Sequence, residues 1–277
     1  IAEADLVVWV GPDMSPWLAA VLDGGATGAR VVGLLDAEGT VRQAFGATHA
    51  HGSGRDAPAA GQGDGGGQQG DAAETGADAG HGAEGSAAEH GVAEADDHAE
   101  ADDHAGADPH AWLDPQNASA WVGAIAAELA RLDPANAAAY AANADTARAR
   151  IAGAEAQAAA TLGPVRDRPF FVYHDAYGYF AAHFGLTVAG AVAEGDAAQP
   201  GAARLRALQA AAATGPTCIF PEANQDPALS LQLAEAAGAR LGGALDPEGS
   251  ALTPGPDLYV ALVTGLAATL ADCLSRR

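Results

Sequence analysis

Apolar residues in this chain come in short unbroken runs, most of them followed by a stretch with helical spacing. Residues 6–10 (Leu-Val-Val-Trp-Val) form the first run and stop at Gly11-Pro12, which predicts a parallel strand buried on both faces. Residues 14–22 predict a helix, with Ser15 as its cap, Pro16 at its first position and Gly24-Gly25 stopping it. Residues 30–35 predict a second strand. Strand, helix and strand in that order mark an α/β layer with a right-handed crossover.

The alternation resumes after residue 107. Trp121, Ile125, Leu129 and Leu132 fall at spacings of four and three, which predicts a helix over 115–132, interrupted at Asp133-Pro134. An Ala-rich helix follows over 135–162, with one Gly inside it and Pro164 ending it. Strands are predicted at 170–173, 187–189, 217–220 and, weakly, 240–245, with helices at 176–184, 202–213, 227–237 and 257–274. The fold class expected is therefore α/β.

Between about residues 46 and 107 the pattern collapses into Asp, Glu, Gly, Ala, Gln and His without apolar periodicity. Such a composition cannot bury enough surface to offset its conformational entropy, so the segment is expected to be disordered. It holds six of the nine histidines: His49, His51, His81, His90, His98 and His104. Asp96-Asp97-His98-Ala99 recurs as Asp102-Asp103-His104-Ala105, and Asp108-Pro109-His110 follows at the same step. Carboxylates beside imidazoles concentrate cations, so the segment is expected to collect metal ions weakly at several places. The alternative is a solvated acidic spacer with incidental histidines.

Composition sharpens this. The formal charge is −23, which repels phosphate backbones and makes nucleic acid a poor partner. Aromatic residues are only 5%, so the core must come from the short runs named above. No apolar run is read as long enough to cross a bilayer. Cys218 and Cys273 lie too far apart for a CxxC motif, leaving two buried thiols or one disulfide. The chain opens abruptly on a strand with no signal peptide in view, and is expected to be a piece of a longer sequence.

Candidate chemistry gathers at strand ends, where open α/β sheets place their ligand sites. His174 follows the strand at 170–173, Glu222 the strand at 217–220, and Asp246 the strand at 240–245. His110 stands in Asp108-Pro109-His110-Ala111-Trp112-Leu113-Asp114-Pro115, with a proline fixing the backbone on each side. Imidazoles and carboxylates together are zinc ligands. Each residue also has a plainer reading as a cap or turn, above all Asp175 and Asp246, the latter followed by Pro247. His183 is read as a surface or packing residue. No HExxH, G-x-S-x-G or phosphate-binding glycine loop is present, so the chain is not expected to be an enzyme. Glu222 as a base beside a metal-bound water, in a hydrolase, is the weakest of the readings.

These residues resemble a known family. Ala4-Asp5-Leu6-Val7-Val8-Trp9-Val10-Gly11-Pro12, the His-rich acidic segment, the 108–115 motif, Phe171-Val172-Tyr173-His174-Asp175-Ala176-Tyr177-Gly178-Tyr179-Phe180, Gln199-Pro200-Gly201 and Cys218-Ile219-Phe220-Pro221-Glu222 are similar to the ZnuA family of zinc-binding proteins. These are the periplasmic solute-binding components of zinc ABC importers, within cluster A-I. The resemblance covers essentially the whole chain, and its specific segments are those around His110 and His174.

The resemblance implies two Rossmann-like α/β lobes, 1–134 and 163–277, joined by one long rigid helix at 135–162. The His-rich loop of about 46–107 would be inserted in the first lobe, and the protein would act as a periplasmic monomer that delivers Zn2+ to a membrane permease. It implies His110 and His174 as metal ligands, Asp246 as a weaker one, and Glu222 as a group supporting a ligand. It also implies a disulfide between Cys218 and Cys273. The family's first lobe begins with further elements carrying another His ligand, which this sequence lacks. The site is therefore expected to be one ligand short and the first sheet incomplete. A stand-alone zinc buffer acting through the His-rich segment is the alternative function. Imidazole ligands favour zinc over manganese.

Overall fold

The computed structural model describes residues 1–25, 28–44, 107–193, 202–212 and 218–276. All of them belong to one compact unit formed by residues 1–51 and 104–277. The six histidines His49, His51, His81, His90, His98 and His104, and Gln199-Pro200-Gly201, lie outside the described residues.

Parallel pairing follows from the strand–helix alternation. Strand β1 (Leu6–Trp9), helix α1 (Pro16–Asp23) and strand β2 (Arg30–Gly33) make a two-stranded parallel sheet in which Leu6 opposes Arg30. β1 is half-buried along its length rather than buried on both faces, because among the described residues it pairs with β2 alone. Ser15 stands at the cap position of α1, yet its side chain makes no capping hydrogen bond. Pro16 at the first turn supplies the start that was expected of Ser15.

Helix α2 (Pro115–Leu132) begins where the Asp114 carboxylate accepts from the Gln116 N–H, and Pro115 fixes its first turn. After a 3-10 turn at Pro134–Asn136, helix α3 (Ala137–Leu162) runs for 26 residues straight through Gly153. It packs against both α2 and helix α7 (Leu258–Ser275). Its buried positions are Ala144, Ile151, Ala154, Ala158 and Leu162. Small alanines there let the helix backbones approach closely.

The second sheet contains β3 (Phe170–His174), β4 (Val188–Ala193), β5 (Cys218–Phe220) and β6 (Arg240–Leu241), in the spatial order β4-β3-β5-β6 and all parallel. The helices are α4 (Gly178–Phe184), α5 (Ala202–Ala212) and α6 (Ala228–Ala237). β3 is buried throughout and shows the period of two expected of a strand. Phe170 and Val172 enter the main core with Trp121, Leu162, Tyr179 and Leu266. Phe171 points to the opposite face and packs with Val192, Leu208, Ile219 and Leu233. β6 is shorter than the run at 240–245 suggested. Past its end the Gly242 N–H still donates to the Ile219 carbonyl of β5, and Leu245 pairs with Glu222 in a parallel bridge.

Helix α7 corrects one expectation. It has 18 residues and a mean hydropathy of 1.6, long and apolar enough to cross a membrane. In the fold it buries Leu262, Val263, Leu266, Ala267 and Leu270 in the main core. Its far end is tied to β5 by a disulfide between Cys218 and Cys273.

Candidate metal centre

His110 and His174 reach the same point from different elements. His174 is the last residue of β3, at the carboxyl end of one of the sheet's two inner strands. His110 precedes a short 3-10 turn at Ala111–Leu113 that leads into α2. Their Nε2 atoms lie 3.5 Å apart, and both residues are buried, at 6% and 4% exposure.

The segment carrying His110 is fixed from several sides. Tyr179 of α4 donates to the Asp108 carbonyl and accepts from the Gln43 N–H, each at 2.9 Å. Ala44 and Ala107 pair in an antiparallel bridge beside them, and the Asp108 N–H donates to the Gln43 carbonyl. Buried Asn117 donates to the Val41 and Ala111 carbonyls and accepts from the Val41 N–H. The Trp112 indole N–H donates to the Pro247 carbonyl, and the Tyr259 hydroxyl of α7 donates to the Trp112 carbonyl. The Trp112 ring also packs against the His110 ring, with centroids 5.3 Å apart.

Each imidazole is oriented by a carboxylate on its other nitrogen. His110 Nδ1 meets Asp108 Oδ1 at 2.7 Å, and the same oxygen accepts from the His110 backbone N–H. His174 Nδ1 is hydrogen-bonded to Glu222 Oε2. A carboxylate only accepts, so each Nδ1 carries a proton, and with the ring neutral Nε2 presents a lone pair. Two lone pairs 3.5 Å apart repel in the absence of a proton or cation between them. Such a pair can take up a proton or a cation between the two nitrogens.

The four residues singled out in the sequence are placed unequally. His110 and His174 face one another, and Glu222 lies behind His174 as an orienting group. Asp246 is engaged by its own turn: it accepts from the Ser250 N–H and hydroxyl and from the Ala251 N–H. Among the described residues no three His, Cys, Asp or Glu side chains converge as a metal-ligand group.

Sequence reasoning missed two neighbours of the paired imidazoles and one contact outside the centre. Asp108 could have been found, since an acid two residues before a histidine can fold back onto the ring. Tyr177 could not. Its ring lies 6.2 Å from that of His174, it is 2% exposed, and its hydroxyl has no partner among the described residues. Burial pushes its phenol well above the usual range, and the charges of Glu222, Asp246 and Glu248 push the same way, so it remains an O–H donor. His183, expected at the surface or in packing, instead joins two carboxylates. Its Nδ1 lies 2.8 Å from Asp114 Oδ1 and its Nε2 lies 3.0 Å from Glu155 Oε1.

The chain combines two parallel sheets and a long helix, with two imidazoles facing one another at a strand end. A structure titled "Crystal structure of ZnuA" superposes with a TM-score of 0.66 at 21% identity, over 98% of this chain and 80% of that one. A Mn-bound periplasmic metal binding protein from Candidatus Liberibacter asiaticus superposes with a TM-score of 0.67 at 18% identity, over 98% and 81%. The model of the family described as "Zinc-uptake complex component A periplasmic" matches residues 1–273, and the chain belongs to that family. The high-affinity zinc uptake system protein ZnuA of Paracoccus denitrificans is 42% identical over 275 residues, 99% of this chain and 78% of that protein. The protein of the same name from Brucella suis biovar 1 is 43% identical over 121 residues, 43% of this chain and 36% of its own length. Membership makes the chain a solute-binding protein rather than an enzyme.

Proposed function

We propose that the chain captures one zinc ion between His110 and His174 in the periplasm and delivers it to an ABC-type membrane permease. The facing Nε2 atoms carry this reading. Zinc–nitrogen bonds of about 2.0–2.1 Å at a tetrahedral angle place two imidazole nitrogens about 3.4 Å apart, close to the separation present here. Two neutral imidazoles oriented by carboxylates also suit zinc better than manganese. Asp246 is the weaker ligand, because coordinating the ion requires it to release the turn it now closes. Lobes at 1–134 and 163–277 hold the two histidines on either side of the joining helix at 135–162. The six histidines His49, His51, His81, His90, His98 and His104 serve as an auxiliary collector of lower affinity.

A competitive zinc titration of the chain, with and without residues 48–106, tests this reading. One bound zinc is expected to persist when the segment is removed. Loss of all binding with the segment would instead make the protein a zinc buffer acting through those histidines. The paired feet at Ala44 and Ala107 make the deletion geometrically simple.

Glu222→Gln checks the orienting role. The amide can still accept from His174 Nδ1, but the charge that strengthens the imidazole as a ligand is gone. Zinc affinity is expected to fall roughly 10- to 100-fold. An unchanged titration curve would remove Glu222 from the site.

A further inference from the structure

His183 of α4 lies outside the metal centre, yet it closes a ring of structure around it. One ring nitrogen is 2.8 Å from Asp114, the residue that caps α2. The other is 3.0 Å from Glu155 of α3. His110 lies four residues before Asp114, across the buried 3-10 turn. His174 lies four residues before the start of α4. The path from His110 through Asp114 and His183 along α4 to His174 therefore spans the two ligands.

A neutral imidazole has one donor, and two carboxylates offer only acceptors. Both contacts can be hydrogen bonds only if the ring is an imidazolium. We propose that His183 is a positioning residue whose protonation ties α4 to both α3 and the His110 segment, coupling zinc capture to pH. The proposal rests on the zinc reading given above.

Among the described residues the charged groups around the ring are few. From the start of α2 comes Asp114, whose side chain is 7% exposed, and from α3 comes Glu155, 43% exposed. Arg148 of α3 lines the same open cavity of about 410 Å³. From its own helix Phe184 packs edge-on, with ring centroids 4.8 Å apart. The hydrogen bond to Asp114 raises the His183 pKa above its ordinary 6.5, and Glu155 raises it further, against the opposing effect of burial. Stability from a raised histidine is fully present below its unfolded value and is lost as pH rises through the folded value. On deprotonation the ring keeps one donor. Buried Asp114 retains it, and Glu155 turns to water.

Two measurements on the intact chain, His183→Gln and Glu155→Gln test this. The first is the melting temperature of the metal-free protein from about pH 6 to about pH 8.5, the range spanning histidine titration. The second is zinc affinity by chelator competition over the same range. The melting difference between wild type and His183→Gln is expected to be largest at the acid end and to shrink as pH rises. Wild type should bind zinc roughly fivefold more tightly than His183→Gln near pH 6, with the ratio approaching one near pH 8.5. Glu155→Gln should move the midpoint of both profiles to lower pH. A melting difference independent of pH, or a zinc ratio that stays at one while melting converges, would overturn the proposal. If wild type holds no zinc at all, the capture reading fails, and the His183 contact is then judged on the melting profiles alone.

Discussion

His174→Ala is expected to weaken zinc binding by at least about 100-fold, roughly 3 kcal/mol. Two losses combine. One of the two facing nitrogens disappears, and the Glu222 carboxylate loses the ring N–H that donated to it. Competition with a chelating dye reads the effect directly. His51→Ala, in the His-rich segment, is the matched control and should leave the tight component unchanged. If the two substitutions behave alike, the paired imidazoles are not where the ion is held. Circular dichroism of the His174→Ala protein separates ligand loss from misfolding, since His174 ends a fully buried strand.

The disulfide carries the second large effect. Cys218 and Cys273 are 55 residues apart, and both are buried in the main core. Cross-linking a loop of that length removes unfolded-state entropy worth about 4 kcal/mol. For a fold of this size that corresponds to a fall in melting temperature of roughly 8–16 °C when both cysteines become alanine. The zinc stoichiometry of the folded variant should not change, because the bridge joins β5 to the end of α7 rather than touching the histidines. A shift below about 2 °C would mean that core packing around α7 holds the helix without the bridge.

Legibility in the sequence tracked the range of the interaction. The bounds of α2 were readable because Pro115 and Asp133-Pro134 act locally, and α3 was off by only a short 3-10 turn at its start. His174 was readable because a polar residue closing a run of buried ones has a defined place in an α/β sheet. The half-exposure of β1 was not readable, since a continuous apolar run says nothing about how many neighbours the strand will find. α7 was readable as a closing helix, but the same composition suits a membrane or a core, and only packing separates them. His183 was the hardest. Its partners lie 69 and 28 residues away in sequence, and nothing near it on α4 hints at either. Asp246 was placed beside its turn in the sequence reading, and the hydrogen bonds it makes are those of that plainer alternative.

The feet at Gln43–Ala44 and Ala107–Asp108 meet one another and are clamped together by a single tyrosine, Tyr179. Because the fold itself closes the gap, inserting more chain there costs only the slow logarithmic growth of loop entropy. The position is thus a ready splice point for protein engineering. A circularly permuted fluorescent protein placed between the feet would be coupled, through Asp108, to the ring of His110 two residues on. Such a fusion would report optically whether zinc moves the feet, without a change to either facing imidazole.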